Sequence, residues 1–129
     1  MPTLQAPPVM GDLIKREFDR DYNREAITLK AGTAYPQGAV LGRVTADGLY
    51  TLSSHAEVVG LEGAELASAV LLEAVDASAG DAAGLALVRG PVILADVALS
   101  YHASVDDPTK QAAKQAELAA YGLVTREAL

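Results

Sequence analysis

Cysteine is absent from this chain of 129 residues, which excludes a disulfide staple, a thiolate nucleophile and any cysteine metal site. Aromatic side chains make up only 5%, with a single Phe, so the 50% apolar share consists mostly of Ala, Val and Leu. Such small side chains bury little surface each, at about 25 cal/mol per Å². This favours some burial between subunits, that is, an oligomer. No apolar run approaches the roughly 20 residues that span a bilayer. The opening, Met1 to Gly11, holds Pro2, Pro7 and Pro8 and no basic cluster ahead of an apolar run, so it does not read as a signal peptide. A soluble protein without a membrane partner, made in the cytoplasm, is expected. Basic residues are also scarce, 10 against 17 acidic, for a net charge of −7. A nucleic-acid partner needs a basic face, so direct nucleic-acid binding is not expected.

The charge is unevenly spread. Residues 1–24 hold Lys15, Arg16, Arg20 and Arg24 against Asp12, Glu17, Asp19 and Asp21, so this segment is neutral. Residues 25–129 carry the whole acidic excess. The first ten residues contain three of the six prolines, which favour extended backbone and oppose independent folding. The large apolar residues of the segment that follows are Leu13, Ile14, Phe18 and Tyr22. Ile14, Phe18 and Tyr22 share one face if the segment is helical, and they serve equally as anchors of an extended strand. Residues 1–24 therefore read as an N-terminal arm, either a loose tail or a segment that orders on a partner, and residues 25–129 as a β-rich body.

In that body Glu25 to Lys30 alternates, with Ile27 and Leu29 on one face. Ala31 to Gly38 reads as a loop and Ala39 to Thr45 as a second strand. Asp47-Gly48 is a hairpin turn that returns the chain along Leu49 to Leu52. Ser53 to Ala67, with Glu57, Glu62 and Glu65, reads as an acidic surface loop. Ala69 to Val75 is a buried strand interrupted by Glu73, and Asp76 to Gly84 is turn material. Strands are expected at Leu85 to Arg89 and Val92 to Leu99, around a Gly90-Pro91 turn. Asp106 or Asp107 caps a helix that opens on Pro108 and runs over Thr109 to Tyr121, with Gly122 at its C-terminus and Leu123 packing back. Its face of Ala112, Ala116, Leu118, Ala119 and Ala120 suits a closely approaching neighbour, and Val124 and Thr125 add a short last strand. The fold class is α+β, mainly β: one small domain of short strands, a C-terminal helix and an extended N-terminal arm.

The candidate chemistry is thin. His55 and His102 lie in segments with no matching ligand spacing, so they read as loop histidines and not as a metal site. Ser53 and Ser54 precede His55 without a nucleophile elbow. Asp76 and Asp81 flank Gly80 but lack the alternating oxygen ligands of a calcium loop. Asp106 and Asp107 are explained by helix capping. No phosphate-binding glycine loop occurs. No catalytic residue, cofactor or metal is expected, and the chain reads as a non-enzyme.

Three stretches together resemble the lambda-like head decoration proteins of tailed bacteriophages. They are AITLKAGTAYPQGAVLGRVTADGLYTL (Ala26 to Leu52), SAVLLEAVDASAGD (Ser68 to Asp81) and AYGLVTREAL (Ala120 to Leu129). The resemblance covers roughly residues 25–129 and rests on turns and apolar strands. It implies a homotrimer on the outer surface of the expanded capsid, at three-fold and quasi-three-fold positions. There it would bind the major capsid protein and stabilise the shell against DNA pressure, with the host cytoplasm as the place of assembly. It also implies an N-terminal segment that orders on the shell, and Leu13, Ile14, Phe18 and Tyr22 are the residues expected to make that contact. The stretch from Ser53 to Ala67 is more acidic here than the family pattern. Alternatives are another virion module, such as a capsid fibre or tail-associated β protein, or a small oligomeric enzyme using His55 or His102.

Overall fold

The computed structural model describes residues 13–127. Its strands are β1 (Ile14–Glu17), β2 (Arg24–Leu29), β3 (Ala34–Tyr35), β4 (Val40–Arg43), β5 (Tyr50–Leu52), β6 (Ala67–Leu71), β7 (Val75–Asp76), β8 (Ala82–Leu87), β9 (Val92–Ala95) and β10 (Leu123–Arg126). One helical turn, α1 (Arg20–Asn23), follows β1, and the long helix α2 spans Pro108–Ala119. The class is the expected one: mainly β, with one substantial helix near the C-terminus.

Strands β2-β5-β4-β6-β8 close into a small barrel. A second sheet, ordered β1-β9-β10, lies beside it, and β3 and β7 form a two-stranded ribbon. The continuous apolar runs have a direct cause: β4, β6 and β8 separate two cores. Leu41, Ala69, Leu71 and Ala86 point into the barrel with Ile27, Leu29 and Tyr35. Their neighbours in sequence, Val40, Val70, Leu72 and Leu87, point the other way. There they meet Leu94 and Leu123 of the second sheet and Leu118 of α2. A strand buried on both faces cannot alternate with polar residues.

The Asp47-Gly48 turn forms as read, with Gly48 at φ +73 and Leu41 opposite Leu52 in the hairpin. Asp107 caps α2 by accepting from the Lys110 N–H (2.8 Å), and Pro108 opens the helix. Four local expectations shift. The run from Ala69 leaves the barrel at Leu71, and Val75–Asp76 pairs instead with β3. The strand from Val92 ends at Ala95, followed by a 3₁₀ turn over Asp96–Ala98. Ala82 to Gly84, within the expected turn, is already β8 and pairs with β2. The alanines of α2 are exposed, and its buried residues are Lys114 and Leu118. Alanine here serves helix propensity and not close approach.

The expected boundary after residue 24 does not separate the described part of the arm from the body. Leu13 is 1% exposed within the second core, and Ile14 packs against it. Strand β1 pairs antiparallel with β9, with Ile14 opposite Leu94 and Glu17 opposite Val92. Residues 1–12, the proline-rich part of the arm, lie outside the described residues.

Candidate functional site

The four arm residues divide by strand geometry and by the turn that follows. Ile14, Phe18 and Tyr22 do not share a helix face, because residues 14–17 are extended and only Arg20–Asn23 is helical. Leu13 and Ile14 face the core, whereas Phe18 and Tyr22 are exposed by 54% and 58%. Both rings nevertheless stand on a rigid base. The Phe18 N–H donates to Pro91 O (3.4 Å), and Asp19 caps α1 by accepting from the Tyr22 N–H (3.1 Å). Asn23 is fully buried; its side-chain amide donates to Pro91 O (3.2 Å) and its carbonyl accepts from Val88 N–H (3.0 Å). Arg24 holds Glu17 through two hydrogen bonds, at 2.9 and 2.7 Å. That pairing raises the Arg24 pKa further and locks β1 to β2 across the helical turn.

Two guanidinium groups face the rings. Arg16 lies 4.8 Å from the Phe18 ring centre and Arg89 lies 5.1 Å from that of Tyr22. Arg89 also donates to Tyr22 O (2.5 Å) and to Glu25 (2.6 Å). The result is a patch of exposed aromatic rings backed by arginines, suited to packing against another protein. It holds no nucleophile with an adjacent base.

Arg89 also borders a cleft of about 740 Å³ where the barrel is least closed. Strand β2 pairs with β8 along all six of its residues but meets β5 only at Leu29–Tyr50. Ile27, Leu49, Tyr50, Val88 and Tyr121 line the opening. Burial there pushes the Tyr50 phenol pKa up. Next in sequence to the lining residues Arg89 and Tyr121 stand two glycines whose backbones touch. A Cβ at Gly90 would lie 2.0 Å from Gly122 O, and Gly90 N–H donates to Tyr121 O (2.7 Å).

The histidines, unrelated in sequence, meet at Ser104. The His55 N–H donates to Ser104 Oγ (2.9 Å), while Ser104 N–H donates to His102 Nδ1 (3.0 Å). The hydroxyl thereby ties two loops together, and no carboxylate among the described residues orients the His102 ring. Ser53 is buried and accepts from Lys114 Nζ (3.0 Å), and Ser54 Oγ donates to Ala56 O (2.6 Å). Asp76 accepts from the Ser78 N–H and hydroxyl, which lowers its pKa, and Asp81 accepts from Ala31 N–H (2.7 Å). Both act as turn braces. Among the described residues no group of three His, Asp or Glu is placed to hold a metal ion.

Sequence reading missed Lys114. It is 2% exposed and reaches from α2 to Ser53 Oγ, Glu65 O (2.5 Å) and Glu117 (3.3 Å). Glu117 in turn accepts from Ala67 N–H (2.8 Å). The acidic stretch from Ser53 to Ala67 is therefore anchored at both ends by the helix. A lysine in an alanine-rich helix carries no signal of this burial.

A family model described as bacteriophage lambda head decoration protein D matches residues 3–123. The chain belongs to this family. No curated protein matches the sequence. Membership places the protein among structural components of the bacteriophage head and associates it with the virion capsid. The match begins ahead of the described residues and takes in β1, Phe18 and Tyr22. No helix among the described residues is long and apolar enough to cross a membrane.

Proposed function

We propose that this protein is a non-enzymatic decoration protein. It binds the major capsid protein on the outer surface of the expanded head as a homotrimer, at three-fold and quasi-three-fold sites, and stabilises the shell against DNA pressure. The observation that carries the reading is the family match across residues 3–123. In this reading the protein is made in the host cytoplasm and adds to the shell during assembly, without touching nucleic acid. Its net charge of −7 keeps the free protein soluble at high concentration and opposes contact with packaged DNA.

The capsid-binding arm of residues 1–24 works in two parts. Residues 1–12 supply the contact with the shell, and Phe18 and Tyr22 supply a fixed aromatic base behind it. Leu13 and Ile14 serve as the hinge anchor that holds this base to the body. Each main-chain hydrogen bond from an arm contributes a net of about 0.5–1.5 kcal/mol, less the entropy of ordering. Three arms on one trimer multiply their effect through effective concentration.

Purified protein is expected to adsorb to its own phage's expanded, undecorated shells at micromolar concentration and not to unexpanded procapsids. Failure to bind expanded shells removes the reading. Labelling seen by electron microscopy at a fibre or the tail instead of the head would assign another virion role. Phe18→Ala with Tyr22→Ala is expected to weaken adsorption at least tenfold while leaving the melting temperature within a degree or two, since both rings are exposed.

A further inference from the structure

We propose that the cleft beside β2 receives the acidic 57–66 loop of a neighbouring copy of this chain, so that each subunit's loop fills the next subunit's cleft around a three-fold axis. This rests on the trimer reading above and assigns its contact. A three-fold ring is built from heterologous contacts, so every subunit must carry two different and complementary surfaces. The described residues present such a pair.

The first surface is the cleft. Its lining mixes apolar and aromatic side chains with polar and charged ones, and the β5-facing edge of β2 from Glu25 to Thr28 has no strand partner among the described residues. Its two acids are already engaged, Glu25 by Arg89 (2.6 Å) and Asp47 by Lys30 (2.8 Å). Arg43 differs: among the described residues it makes no ion pair, and its guanidinium has a single hydrogen bond there, to Gly48 O at 3.4 Å. Ser68, which also lines the cleft, has a buried hydroxyl with no partner among the described residues. The cleft therefore presents one cation without an ionic partner among the described residues, beside apolar and aromatic side chains.

The second surface is the loop. Val59 is 95% exposed, Leu66 59% and Val58 40%, a concentration of apolar surface that water does not favour. Glu57, Glu62 and Glu65 flank these residues and make no ion pair among the described residues. Glu62 and Glu65 bond only to nearby backbone, at Gly60 N–H and Gly63 N–H. No Lys or Arg occurs between Arg43 and Arg89, so nothing on this stretch of the chain neutralises them. The loop is nonetheless held in place. Lys114 grips Glu65 O, and Gly42 lets Ala64 lie against β4, where a Cβ would meet Ala64 O at 2.1 Å. A preorganised loop with exposed apolar residues and carboxylates without ion pairs complements a cleft that offers apolar and aromatic side chains beside a guanidinium without an ionic partner among the described residues. The loop's own Glu62 accepts at its carbonyl from Thr45 N–H (2.9 Å), which ties the loop to the β4–β5 hairpin whose Arg43, Asp47 and Gly48 line the cleft.

The test uses the full chain, its mass measured by light scattering after gel filtration and its adsorption measured on expanded shells. Arg43→Glu and Glu57→Lys are each expected to weaken trimer association at least tenfold with an unchanged circular dichroism spectrum. The double variant restores it by exchanging the two charges. Because the chain has no cysteine, Leu49→Cys with Val59→Cys supplies an independent check. Oxidation should give covalent dimers and trimers, and neither single variant should give trimers. A wild-type trimer that is indifferent to both charge reversals and does not cross-link overturns the inference while leaving the trimer intact. Arg43→Glu that stays trimeric but no longer adsorbs assigns the cleft to the capsid protein, and also overturns it. A wild-type chain that is monomeric both in solution and on shells removes the trimer reading itself.

Discussion

Single atoms decide several positions in this molecule. At Gly90 the nearest backbone is the carbonyl of Gly122, and any side chain must push the two loops apart. Gly90→Ala is therefore expected to cost roughly 1–3 kcal/mol, the usual range for overpacking a tight contact, read as a shift in the urea midpoint. Gly80→Ala is the control: a Cβ there meets nothing within 4 Å, and stability should stay level or rise slightly. Lys114 offers a second residue-scale test, because its stem fills core space while its ammonium satisfies Ser53 and Glu65. Lys114→Ala leaves a cavity and unpaired acceptors, for about 2–4 kcal/mol. Lys114→Met refills the volume and should cost less, but should expose the 53–67 stretch to proteolysis, which a timed digestion would show.

At the scale of elements, β1 changes what an arm deletion means. Removing residues 1–12 leaves every contact among the described residues in place, and the melting temperature is expected to hold while shell adsorption falls. Removing residues 1–24 also deletes a core leucine, an edge strand and the Glu17–Arg24 pair. Loss of a buried leucine alone costs about 2–5 kcal/mol. The longer deletion is thus expected to melt well below the shorter one by calorimetry. Equal melting temperatures would mean that β1 contributes nothing to the body. The long helix behaves differently from its composition, since its contact with β6 and β10 uses Leu118 and Lys114 while its alanines stay in water.

The whole molecule is acidic, and its response to pH follows from pairings at the surface. Lys30 holds the Asp47 pKa below the ordinary carboxylate value, Lys110 does the same for Asp106, and backbone or hydroxyl donors lower Glu62 and Asp76. A carboxylate whose pKa is depressed by folding contributes stability above its unfolded pKa and loses it as pH falls through the folded one. Stability should therefore hold near neutrality and decline below about pH 4, the normal carboxylate range. All four groups are exposed, so each contribution is small and screened by salt. Calorimetric scans at descending pH should show a gradual fall, and Asp47→Asn should remove only part of it. A melting temperature that rises on acidification would mean that relief of the −7 net charge outweighs these pairings.

Much of this was legible in the chain itself, because the controlling physics is local. The Asp-Gly hairpin, the Asp107-Pro108 helix start and the Gly122 terminus each depend on the φ preference or hydrogen-bonding reach of one or two residues. Period-two alternation likewise marked Ile27 and Leu29 as inward-facing. Family membership was readable for the same reason, since turns and apolar strands in a fixed order are written along the chain. Contacts between distant segments were not readable. The meeting of His55, Ser104 and His102, the burial of Lys114, the division of Leu13 and Ile14 from Phe18 and Tyr22, and the incomplete seam between β2 and β5 all join residues far apart in sequence. Apolar residues at Ile14, Phe18 and Tyr22 declared that something would be covered. Whether the cover came from this chain or from a partner was decided only when β9 took β1 as its neighbour, because burial is a property of what packs against a residue and not of the residue alone.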